Sequence, residues 1–129
     1  MSGLLLDTCS FVWLVAEPET LSGAARDVLD DPDRALVVSD VSVWEICLKW
    51  EAGKLDFPTP PRVWVAEQMQ AWSFEPLAIE RSHMLRSTEL PRLHRDPFDR
   101  LLIAQALELG LTIVSPDAHI RAYPVATCW

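Results

Sequence analysis

The sequence predicts an α/β domain with a mainly parallel central sheet flanked by helices on both faces. Three observations carry this. The apolar runs "LLL", "ALVVS" and "LTIVS" contain no alternating polar residues, as expected of strands covered on both sides. Segments with helical periodicity stand between them. No repeat, low-complexity tract or linker divides the 129 residues, so a single domain over 1–129 is expected.

The elements follow in order. "GLLLDT" (3–8) reads as the first strand, with a helix beginning near Phe11. "LSGAARDVLDD" (21–31) carries leucine and alanine on one side and reads as a helix. "ALVVSD" (35–40) is a second strand. "VSVWEICLKWEAGKL" (41–55) is a helix that Gly53 stops. "PPRVWVAEQMQAW" (60–72) is a helix opened by proline, and "FEPLAI" (74–79) a candidate strand. "RSHMLRSTELP" (81–91) is another helix, and "DPFDRLLIAQALELG" (96–110) one that Gly110 closes. "LTIVSPD" (111–117) is the last clear strand, before a short helix "AHIRAY" (118–123) and a candidate edge strand "VATCW" (125–129).

Composition narrows the function. A net charge of −8 argues against a general nucleic-acid coat protein, whose affinity comes from many phosphate contacts. It leaves room for a nuclease that meets its substrate through bound metal and a local patch. Arg92, Arg95 and Arg100 make such a patch, with pairing to surface acids as the plainer expectation. Cys9, Cys47 and Cys128 show no C-x-x-C spacing and read as buried free thiols in a reducing cytosol. No run has the length of a membrane span, and "GLLLDT" lacks the basic flank and length of a signal peptide.

The stretch "HRDPFDRLLIAQALELG" (94–110) concentrates the chemistry. Asp96 suits the helix cap, with Pro97 at the first helical position. At roughly 100° per residue, Phe98, Leu102, Ala106 and Leu109 form a stripe, and Asp99 lies along its edge with Ile103. An acid facing a buried side needs a partner.

Ligands in open parallel sheets bind beyond the carboxyl ends of the strands. Asp7 and Asp40 end the first two strands, Asp117 follows the last, and Glu45 lies one helical turn past the second. Each has a structural reading. Asp7 and Asp117 suit caps, and Ser42 with Glu45 forms the S-x-x-E of a capping box. Together, Asp7, Glu45, Asp99 and Asp117 repel one another unless a cation joins them, and oxygen-rich clusters suit Mg²⁺ or Mn²⁺. No histidine or cysteine shares a ligand spacing with them, and no G-x-S-x-G elbow supports a serine hydrolase. The pattern favours metal-assisted phosphoryl chemistry.

"LLLDTCSFVWL", "VSVWEICLKWEAGKL", "HRDPFDRLLIAQALELGLTIVSPD" and "YPVATCW" resemble, in order, the PIN-domain ribonucleases, especially VapC-type toxins of bacterial toxin–antitoxin pairs. The resemblance implies a single PIN-like nuclease domain and a Mg²⁺- or Mn²⁺-dependent endoribonuclease. Asp7 and Asp99 would be the principal metal ligands, with Glu45 and Asp117 binding directly, through water or at a second ion. It also implies a structured or tRNA-like RNA substrate cut to a 5′-phosphate and 3′-hydroxyl, a cognate antitoxin, a homodimer and a cytoplasmic location without membrane contact. Members often have histidine at the position of Cys9, and a threonine–arginine pair at Ser115 and Pro116.

Two other readings use the same residues. In a catalytically silent partner-binding module, tryptophans such as Trp44, Trp50, Trp64 and Trp72 would form a groove. A phosphoacceptor receiver domain shares the parallel sheet and strand-end acids. It normally has adjacent acids after its first strand and a late lysine, whereas no lysine follows Lys54 here.

Overall fold

The computed structural model describes residues 3–129. β1 (Leu4–Leu6), β2 (Leu36–Ser39), β3 (Glu75–Leu77), β4 (Thr112–Val114) and β5 (Thr127–Cys128) form one sheet in the order β3-β2-β1-β4-β5. Every pairing is parallel, with Leu5 opposite Val37 on one side and Ile113 on the other. Parallel neighbours require crossover segments, and the helices supply them. α1 (Thr8–Ala16) and α2 (Gly23–Leu29) join β1 to β2, while α3 (Asp40–Glu51) and α4 (Pro61–Ala71) join β2 to β3. α5 (Arg81–Glu89) and α6 (Pro97–Leu109) lead to β4, and α7 (Ala118–Arg121) to β5.

The wholly apolar β1 follows from its central place. Leu4 and Leu6 pack with Phe11, Leu14, Trp64 and Phe74 on one face. Leu5 packs with Val41, Leu102, Ile103 and Ile120 on the other. Each such buried side chain contributes roughly 1.5–3 kcal/mol of transfer free energy.

Several boundaries differ from expectation, each through a cap. α1 starts at Thr8 rather than near Phe11, because Asp7 accepts a hydrogen bond from the Ser10 N–H at 2.8 Å. A 3₁₀ turn at Pro18–Thr20 precedes α2, which is shortened to the seven residues after the Ser22 cap. α3 starts at Asp40, capped by Ser39, whose Oγ accepts from the Val41 N–H at 3.0 Å. Ser42 is therefore inside the helix, and the expected capping box with Glu45 is not made. Gly53 and Gly110 supply positive φ after α3 and α6.

Some burial expectations also change. Leu102 and Ala106 are buried on α6, but Leu109 is exposed. Trp64 is core, stacked on Phe57, whereas Trp44, Trp50 and Trp72 face solvent. The cysteines are free, but Cys9 is exposed and Cys47 and Cys128 are half-buried. Among the described residues, no helix is long and apolar enough to cross a membrane.

Candidate active site

A cleft of about 320 Å³ opens beyond the carboxyl ends of β1 and β4 and is lined by Asp7, Glu45, Asp99 and Asp117. All four acids singled out in the sequence thus meet in one place. Asp40 does not join them; it is exposed at the start of α3. The topology explains the convergence. Asp7 leaves β1, Asp117 follows β4, Asp99 lies in the first turn of α6, and Glu45 is one turn into α3. The N-termini of α1 and α6 face this edge, and their partial positive charge favours anions there.

Capping and site-building are not alternatives. Asp7 uses Oδ1 to accept from Ser10 N–H, and Asp117 uses Oδ1 to accept from His119 N–H, both at 2.8 Å. A carboxylate has a second oxygen, and in both residues it is spared from capping. Asp96 caps α6 as expected, accepting from the N–H groups of Phe98 at 2.8 Å and Asp99 at 3.2 Å. Asp99 itself has no capping duty.

The electrostatics are those of crowded, desolvated acids. Burial pushes the Asp99 carboxyl up to about 6, with Asp96 and Glu45 adding repulsion and a hydrogen bond with His94 opposing it. Asp7 is also raised, by burial above all and by Asp117, against hydrogen bonds from Ser10 and Ser115. Cys9, on the cleft wall, is pushed up to about 11 by desolvation and by Asp7, so it is a neutral thiol at pH 7.

Sequence reasoning gave no role to two side chains that meet these acids. His94 places Nε2 2.8 Å from Asp99 Oδ2, and its ring stacks on His119 with centroids 4.7 Å apart. His94, Asp99 and Asp117 each offer a ligand atom within 4.8 Å of the others, a tighter group than the four acids. No spacing pattern marks His94, since it reaches the cleft from a loop. Lys49 is the second. Its Nζ lies 2.9 Å from Glu45 Oε2, while the Thr8 hydroxyl donates to Glu45 Oε1 at 2.5 Å. The Glu45–Lys49 spacing of i, i+4 was a readable signal. Desolvation lowers the Lys49 ammonium, but the hydrogen bond and charge of Glu45 outweigh this and leave it raised. Ser10 donates to the Val114 carbonyl and Ser115 accepts from the Asp117 N–H, so both hydroxyls brace the cleft.

The donor set fits a hard divalent cation. Asp7, Asp99 and Asp117 offer carboxylate oxygens, and one imidazole at the rim is compatible with Mg²⁺ and more so with Mn²⁺.

Comparison with known proteins agrees with this geometry. A family profile described as "PIN domain" matches residues 4–126. The chain is 31% identical over 124 residues to ribonuclease VapC22 of Mycobacterium tuberculosis, covering 95% of this chain and 93% of that protein. It is 29% identical over 101 residues to ribonuclease VapC16 of the same organism, covering 78% and 67%. VapBC2 from Rickettsia felis, solved bound to a DNA fragment from its promoter, aligns with a TM-score of 0.72 over 98% of both chains. At 13% identity, that last likeness is one of fold.

Proposed function

The chain belongs to the PIN-domain family, and from that premise we propose a metal-dependent endoribonuclease of the VapC toxin type. Its substrate is a structured RNA such as tRNA, and a cognate antitoxin restrains it. The observation that carries this reading is the convergence of Asp7, Glu45, Asp99 and Asp117 in one cleft, two of them with carboxyl groups raised by burial. VapC22 and VapC16 are ribonucleases, which supports RNA as the substrate class.

Asp7, Asp99 and Asp117 would hold Mg²⁺ or Mn²⁺, with His94 orienting Asp99 or joining it. When bound, the ion lowers the pKa of water and neutralises charge on the attacked phosphate. The chain's own residues do the rest. Thr8 fixes Glu45 Oε1. Lys49, 2.9 Å from Glu45 Oε2 and on the cleft wall, would also reach a phosphate there, and Glu45 would take the proton of the attacking water. Attack in line with the 3′-oxygen leaves a 5′-phosphate and a 3′-hydroxyl.

An apolar trough of about 460 Å³ between α3 and α4, with Val43, Cys47, Val65 and Ala66, supports docking of a protein inhibitor. Three free thiols are consistent with the cytoplasm.

The test is Mn²⁺ titration of wild type, Asp7→Asn, Asp99→Asn and Asp117→Asn, with cleavage of a tRNA mixture read in parallel. Wild type should bind and cut, and the variants should lose both while staying folded. A folded wild type that binds no Mn²⁺ would overturn the proposal in favour of a partner-binding module.

A further inference from the structure

Beside the acidic cleft lies a second depression of about 420 Å³, lined by Arg92, His94, Arg95 and Arg100 and by no carboxylate. In a chain with 19 acidic and 11 basic residues, such a bay is against the trend. The expected pairing of these arginines with surface acids is not found: among the described residues, none of the three is in an ion pair.

Arg100 is the fixed part. Its guanidinium donates to the carbonyls of Ser87 at 2.7 Å, Leu90 at 3.3 Å, Pro91 at 3.0 Å and His94 at 3.4 Å, and to the Tyr123 hydroxyl at 3.0 Å. These dipoles orient the group without cancelling its charge. The same Tyr123 oxygen accepts from the N–H groups of Leu93 and His94, at 3.1 and 3.0 Å. The loop bearing Arg92 and Arg95 is therefore pinned from beneath, while their own side chains are exposed. His94 forms the partition, since it lines the bay and its Nε2 meets Asp99.

We propose that this bay seats an RNA phosphate next to the one cleaved, with Arg92 and Arg95 as its positioning residues. A fixed positive charge at Arg100 flanked by the two exposed guanidinium groups of Arg92 and Arg95 is suited to phosphate oxygens. It also supplies the attraction that a chain of net charge −8 otherwise lacks. The inference rests on the ribonuclease reading.

The experiment measures binding of a fluorescent single-stranded RNA oligonucleotide in Ca²⁺ across a salt series, for wild type, Arg92→Gln/Arg95→Gln and the remote exposed control Arg26→Gln. Losing one phosphate contact should weaken binding about tenfold at low salt and flatten the log–log salt slope by about 0.7. Mn²⁺ affinity and melting temperature should not change, and the control should match wild type. A double variant that binds RNA with the wild-type slope and affinity overturns the proposal. If that variant instead loses only its complex with the antitoxin, the bay belongs to an acidic protein segment. Wild type that binds neither this oligonucleotide nor the tRNA mixture would remove the ribonuclease reading along with it; wild type that binds only tRNA carries the same salt-series comparison over to tRNA, where an unchanged double variant again overturns the proposal.

Discussion

Asp99 and Gln105 lie on the same helix and are treated in opposite ways. Gln105 is fully buried and every polar atom has a partner: Oε1 accepts from Ser39 Oγ at 2.6 Å, and Nε2 donates to the Ala78 carbonyl and towards His83 Nδ1, both at 3.2 Å. His83 Nδ1 also accepts from the Glu80 N–H at 3.1 Å. That network ties α6 to β2 and to the start of α5. Asp99 has one bond, to His94, and a carboxyl pushed up to about 6. A satisfied buried polar group is architecture. A half-buried carboxyl left short of partners marks a candidate functional site.

The contrast can be broken most sharply at Asp99. Asp99→Asn should lower RNA cleavage more than about a hundredfold, since even residues that only support a metal ligand are worth 10–100-fold. The same change should raise the melting temperature of the metal-free protein at pH 7 by a few degrees. The sign follows from the raised folded-state value: ionised Asp99 destabilises the fold fully above about pH 6, and the penalty fades as pH falls towards the ordinary 3.8. Loss of activity with a lower melting temperature would make Asp99 a structural acid.

Gln105→Ala should do the reverse. It strands Ser39, Ala78 and His83 and leaves a void, costing about 3 kcal/mol in a denaturant midpoint, while the folded fraction keeps its cleavage rate. Next in size is pH. With Asp99 titrating near 6, Mn²⁺ affinity of the wild type measured calorimetrically should fall about tenfold from pH 7 to pH 5. Lys49→Met removes the cleft's own cation and should tighten Mn²⁺ severalfold, up to about tenfold, read in the same titration. The smallest effect belongs to Asp96→Asn, which keeps the cap acceptor and should change cleavage less than about threefold.

The order of elements was readable because the strand runs are buried on both faces and the helices are periodic. Asp99 was readable for the same reason, as an acid out of place on an apolar stripe. What escaped was set by contacts distant in sequence or by competing caps. Thr8 meets Glu45 across 37 residues, and Gln105 meets Ser39 across 66. The S-x-x-E at Ser42 and Glu45 is a local pattern, and it lost to Ser39, which already leaves β2 in extended conformation. The cap readings of Asp7 and Asp117 hold, each through one oxygen, and the proposed metal role would use the other, a division that a one-letter sequence does not display.

The sheet's two margins have a consequence for assembly. β3 is three residues long and interrupted by Pro76, which has no N–H to offer, and β5 has only two residues. Neither margin provides a ladder on which a foreign strand could zip itself. Helix surfaces, such as the trough between α3 and α4, offer side-chain shape and apolar area instead. A partner of this domain would therefore be selected by its sequence and not merely by its capacity to extend.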